Sequence, residues 1–199
     1  MDARSTILSA LRSTPRQPVP HPEPRPTGVR FGRPLERFGR SVAEVGGRCL
    51  FVTGPHDFER ALSEIPEYAS ARRVVSYVPG VTRANVDLEQ VADAHELEDV
   101  DFCVLPGELG VAENGAVWLV EGSFRHRAAW YLAQHVAIAL PGIALVHDMH
   151  QAYTVLGKMP RGFAQFMSGP SKTADIEQSL VMGAQGPRSC TVIVVGNPR

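Results

Sequence analysis

The chain has 199 residues, 44% of them apolar and 21% charged, and its 20 Lys and Arg nearly balance 21 Asp and Glu for a formal charge of −1. A chain of this length hides roughly 70% of its unfolded surface on folding, so its core needs no disulfide or metal staple. Near-neutrality excludes a nucleic-acid or anionic-membrane binder working through bulk charge, and no apolar run reaches the ~20 residues of a bilayer span.

Residues 3–13 place Ile7, Leu8 and Leu11 on one helical face, with Arg4 and Arg12 off it. The alternation of charged and apolar residues up to Arg12 does not read as a signal peptide. Seven of the 16 prolines then fall close together (Pro15, Pro18, Pro20, Pro22, Pro24, Pro26 and Pro34). Each ring fixes φ and removes a donor, which predicts an extended strap over 15–34. The chain therefore divides at Leu35, into an N-terminal helix with a proline-rich strap (1–34) and an α/β domain (35–199).

From Leu35 onward, helical and strand patterns alternate. Leu35, Phe38, Val42 and Val45 have helical spacing, closed by Gly46-Gly47. Strands are predicted at 49–53, 74–78, 101–105, 116–120, 136–140, 143–146 and 191–195. Helices are predicted at 57–65, 84–94, 149–156 and 175–182. Continuous apolar strands separated by helices imply a mostly parallel sheet covered on both faces.

Cys49, Cys103 and Cys190 are scattered, sit in apolar runs and form no C-x-x-C pair. They read as reduced, strand-buried thiols, so the chain is expected to be cytoplasmic and to bind no iron–sulfur cluster through its own cysteines.

Three stretches can carry chemistry. In Gly169-Pro170-Ser171-Lys172-Thr173-Ala174-Asp175-Ile176-Glu177, a turn and two hydroxyls precede the predicted helix. Ser171 and Thr173 can cap that helix, and its early acids suit the macrodipole. Lys172 does not suit it, unless Gly169, Ser171, Lys172 and Thr173 bind an anion there. Both readings stand. In Ala112-Glu113-Asn114-Gly115, Glu113 is either a nucleophile or base, or a carboxylate holding an ordinary Asn-Gly hairpin turn. Arg127, in a basic loop with Arg125 and His126, is either solvated surface or a fork for a carboxylate or phosphate. His147 and His150 flank Asp148 at i, i+3, which on a helix puts both rings on one side; no third ligand accompanies them, and no metal is assigned.

Ser168-Gly169-Pro170-Ser171-Lys172-Thr173-Ala174-Asp175-Ile176-Glu177-Gln178, followed by Gly183 and Gly186-Pro187-Arg188, resembles the closing signature of the lactate-utilisation (LUD) domain. The subgroup it looks most like is the lactate-utilisation C subgroup. The Ala112-Glu113-Asn114-Gly115 turn is similar to that family's acid-containing turn. The resemblance implies a three-layer α/β fold of the ribose-5-phosphate isomerase/CoA-transferase-like type. It implies a part in oxidising L-lactate to pyruvate beside iron–sulfur subunits, with this chain as the cluster-free member; the anion-suited residues add a small anionic ligand, either a carboxylate or a phosphorylated one. Homo-oligomerisation stays open. Class I CoA-transferases carry a Ser-Glu-Asn-Gly motif whose glutamate is acylated, and Glu113, Asn114 and Gly115 match three of its four positions. An acyl- or CoA-transferring enzyme with Glu113 as nucleophile is therefore the alternative, with a sugar-phosphate isomerase or binding protein behind it.

Overall fold

The computed structural model describes residues 2–14, 28–121, 125–157, 162–174 and 180–196. In chain order the elements are α1 (Ala3–Ser13), α2 (Pro34–Glu44), β1 (Arg48–Val52), α3 (Pro55–Ser63), α4 (Pro66–Ser70), β2 (Val74–Ser76), β3 (Phe102–Pro106), β4 (Leu109–Val111), β5 (Val117–Val120), α5 (Ala129–Leu132), β6 (His135–Pro141), β7 (Leu145–Val146), α6 (Met149–Leu156), β8 (Ala164–Met167), β9 (Lys172–Ala174), β10 (Leu180–Met182) and β11 (Ser189–Val195). A short 3₁₀ turn, Ala94–Leu97, lies between β2 and β3.

Five parallel strands form the central sheet in the order β1-β11-β6-β3-β2. Their side chains alternate between two cores. Phe102 and Val104 pack with Phe58, Leu62, Ile65 and Tyr68 of α3, α4 and their junction. Cys103 and Leu105 point the other way, toward Phe38 and Val42 of α2 and Trp130 of α5. Burial on both faces is why these strands read as unbroken apolar runs.

A second sheet, β7-β4-β5-β8, covers the α2 side. Val117 and Leu119 of β5 face the central sheet, while Trp118 faces outward with Phe166, against Met149, Ala152 and Leu156 of α6. The architecture is three-layered α/β, as expected. Helix α1 buries none of its residues, and Ile7 and Leu11 are well exposed. The predicted strap falls largely on residues 15–27, outside the described residues.

Among the described residues, one predicted helix is not found and the end of another is a strand. Residues 84–93 are irregular because Asn85 is spent on the sheet margin. Its side chain accepts from Val74 N–H at 2.9 Å and donates to the Arg72 carbonyl at 2.6 Å. The Asn85 and Val86 N–H groups donate to the Val74 carbonyl. A segment that covers a strand edge cannot also close its own helical ladder. Of the helix expected at 175–182, the last three residues are β10, paired antiparallel with β9 in the register Met182↔Lys172. Residues 175–179 lie outside the described residues.

Candidate functional site

The Glu113 turn is the hairpin connection between β4 and β5, pinned from two sides. Gly115 has φ +68°, and a Cβ there would stand 2.7 Å from the Val42 nitrogen. Only glycine lets the turn approach α2 this closely. The buried Ser41 hydroxyl donates to the Ala112 carbonyl at 2.7 Å and also reaches the Glu113 carbonyl at 3.2 Å. Arg37 Nη2 donates to that same Glu113 carbonyl. Asn114 Oδ1 accepts from Ala116 N–H, the side-chain bond that closes the turn.

The exposed Glu113 carboxylate accepts from Met149 N–H at 3.2 Å, in the first turn of α6. The buried Asp148 caps the same helix through Gln151 N–H at 2.8 Å. Both acids sit where the helix exposes N–H groups and positive dipole. To act as a nucleophile, Glu113 would have to leave Met149.

His147 precedes the N-cap and is not helical, so the i, i+3 argument for a shared face with His150 does not apply. Its Nδ1 accepts from Phe31 N–H at 3.0 Å, with the Phe31 ring stacked on the imidazole. That bond leaves the ring proton on Nε2. Among the described residues no group of three His, Cys, Asp or Glu side chains is placed to hold a metal.

The 168–173 signature starts from the same place. Ser168 Oγ donates to the Asn114 carbonyl at 2.9 Å. Gly169 has φ +73°, and a Cβ there would strike the Val45 carbonyl at 2.6 Å. Ser171 is held by backbone bonds to Pro187 and Gly183. Thr173 lies within β9, opposite Val181.

Lys172 has a neighbour that its sequence context does not reveal. It begins strand β9, and its Nζ lies 3.3 Å from where a Gly46 Cβ would stand. Gly46 follows α2, a helix without a basic residue in its last turn. The ammonium therefore lies beside the negative end of the α2 dipole, a structural role that stands next to the anion-binding one.

Beside the signature lies a cavity of about 240 Å³. Ser168, Gly169, Ser171, Gly186, Tyr131 and Gln165 contribute to its wall. Tyr131 donates its hydroxyl to Gln165 Oε1 at 2.6 Å. Partial burial pushes its phenol upward, so it remains a neutral donor. Gly186 keeps the cavity open, since a Cβ there would come within 3.1 Å of Ser171 Cβ.

The structure thus joins Glu113, Asn114 and Gly115 to the signature through Ser168, and places Gly169 and Ser171 in one cavity wall. Lys172 approaches the end of α2 at Gly46, whereas the Glu113 carbonyl meets the same helix at Arg37 and Ser41. Arg127 belongs to neither place. Its guanidinium grips both Glu121 oxygens at 3.0 and 2.9 Å and lies 4.4 Å from the Phe163 ring centroid. Glu121 and Phe163 mark the far end of the β5–β8 pair, about 20 Å of extended chain from Gly115.

Ser41, Tyr131 and Gln165 were not singled out from the sequence. Ser41 left a trace as a polar residue between Phe38 and Val42 on the buried face of α2. Tyr131 and Gln165 left none, because they meet across 34 residues.

Among the described residues no helix is long and apolar enough to cross a membrane. The LUD domain family matches residues 80–195. The chain is similar to the lactate utilization protein C of Halalkalibacterium halodurans, at 29% identity over 157 residues, covering 68% of each chain. It is likewise similar to the proteins of that name from Geobacillus kaustophilus (30% over 166 residues, 78% of this chain and 66% of that one) and Anoxybacillus flavithermus (33% over 156 residues, 77% and 66%). These matches span about two thirds of the relatives' own lengths. A DUF162-family protein from Deinococcus radiodurans shares the fold, with a TM-score of 0.60 at 17% identity over 82% of this chain and 97% of that one. With more than half its length matched by the family, and with relatives at this level of identity, the chain belongs to the LUD domain family.

Proposed function

We propose that this chain is the cluster-free subunit of an L-lactate utilisation system and that it holds a short carboxylate in the cavity beside the 168–171 turn. The observation that carries the reading is the convergence of Ser168, Gly169, Ser171 and Gly186, all from the family signature, on one polar cavity. The Ser171 hydroxyl and the Gln165 amide can donate to a carboxylate and its α-hydroxyl. The cavity is at the small end for ligand sites, which suits a three-carbon acid better than a nucleotide.

The names of the relatives supply the pathway. The cysteines support a cluster-free role. Cys103 and Cys190 are buried within the central sheet, and burial pushes the Cys49 thiol up to about 12. Thiols so disposed are poor cluster ligands, so iron–sulfur chemistry is assigned to partner subunits.

Deletion of the gene should abolish growth on L-lactate, and the tagged native chain should recover iron–sulfur subunits. L-Lactate or pyruvate should raise Tm, and Ser171→Ala should remove the shift. Unchanged growth with no recovered partner would overturn the assignment to lactate utilisation. A Tm insensitive to both acids would overturn the ligand site.

A further inference from the structure

At the carboxyl ends of the central strands lies a second concavity, of about 350 Å³, which shares no wall residue with the signature cavity. Open α/β sheets place ligands at this end, commonly anions held by free N–H groups and helix N-termini. Here the chemistry is reversed. Three prolines, Pro79, Pro106 and Pro141, stand in the wall and bring no N–H. Gly107 N–H donates to the Ala139 carbonyl at 2.8 Å, Glu108 N–H to the Trp118 carbonyl at 2.9 Å, and Val78 N–H to Ser76 Oγ at 3.1 Å. The α3 start is not part of the wall, and that helix already carries Asp57 in its first turn. Val78, Leu140 and Val195 make the remaining surface apolar.

Among the described residues, the one ionisable side chain in the wall is Glu108. It is exposed at the rim, and its carboxylate makes no hydrogen bond or ion pair among the described residues. Gly107, beside it in the wall, is packed tightly against the core. A Cβ at that position would meet Val117 Cγ1 at 2.6 Å and Ile138 Cγ2 at 2.9 Å, so no larger residue fits.

We propose that this crevice binds a small primary amine on a short aliphatic body, the ammonium paired with Glu108 and the body against Val78, Leu140 and Val195. A lone carboxylate beside an apolar wall repels carboxylates and phosphates and rewards a charge-assisted N–H donor. The volume, near the lower bound for small-molecule sites, limits the body to about five or six carbons.

Methyl NMR of the full chain distinguishes the outcomes, with isopentylamine, isopentanol and isovalerate as probes of one shape and three charges. Isopentylammonium should shift the Val78, Leu140 and Val195 methyls saturably, and isovalerate should not. Isopentanol should bind about fivefold to tenfold more weakly than the amine, and Glu108→Gln should cost the amine a similar factor. The alcohol's affinity should not change in that variant. Absence of methyl shifts with the amine, equal affinity for amine and alcohol, binding of isovalerate, or an unaffected Glu108→Gln variant would each overturn the proposal. None of these results bears on the lactate site, which has its own wall and its own test.

Discussion

Glu108 and Glu113 stand at the two ends of β4, a strand of three residues, yet their surroundings have little in common. Glu113 is engaged at every polar group. Its N–H donates to the His147 carbonyl, its carbonyl receives Ser41 and Arg37, and its carboxylate receives Met149 N–H. Glu108 spends its N–H on Trp118, and its carboxylate has no partner among the described residues. Both side chains are exposed, so exposure does not separate them. Geometry does: one acid joins α2, the hairpin and α6, and the other faces a crevice. An acid in a recognisable motif is thus not necessarily the one free to meet a ligand.

The comparison breaks most easily at Gly115. Valine there would carry a β-branched side chain at φ +68° and drive its Cβ into the backbone of α2, which cannot yield without moving the helix. We expect a loss of about 3–5 kcal/mol, seen as a lower urea midpoint. A change below about 1 kcal/mol would mean that the turn is not anchored on α2. Next is Ser41→Ala, which leaves the Ala112 carbonyl without its 2.7 Å donor in a buried setting. About 1–3 kcal/mol should be lost with an unchanged m-value.

These two residues also show where the sequence was legible. The Asn-Gly turn, the α2 stripe of Phe38 and Val42, and the apolar run at 102–105 are patterns of neighbouring residues, which is why they were readable. The bond from Ser41 to the turn spans 71 residues, and no periodicity encodes it. Lys172 shows the same limit. Its neighbours in sequence suggested a helix start, while its neighbour in space is the end of a helix 126 positions earlier. The segment after β2 failed because Asn85, a poor helix former in any case, is recruited by Val74 across the sheet edge. Of the proposed ligand contacts, Gly169 and Ser171 came from the family signature, whereas Tyr131 and Gln165 needed coordinates.

The smallest effects test the comparison directly. Glu113→Ala removes a charged acceptor from Met149 N–H at the start of α6 and should cost about 1 kcal/mol. Glu108→Ala removes an exposed side chain that touches no donor and should stay within about 0.5 kcal/mol of the parent. Each is measured by urea unfolding, and hydrogen exchange at Met149 gives the local readout. Faster exchange there in Glu113→Ala, and not in Glu108→Ala, is the expected pair of results. Equal costs with equal exchange would show that the 3.2 Å contact contributes nothing in solution. Glu113 would then be as free as Glu108, and the acyl-transfer reading of its turn would regain the nucleophile that Met149 now occupies.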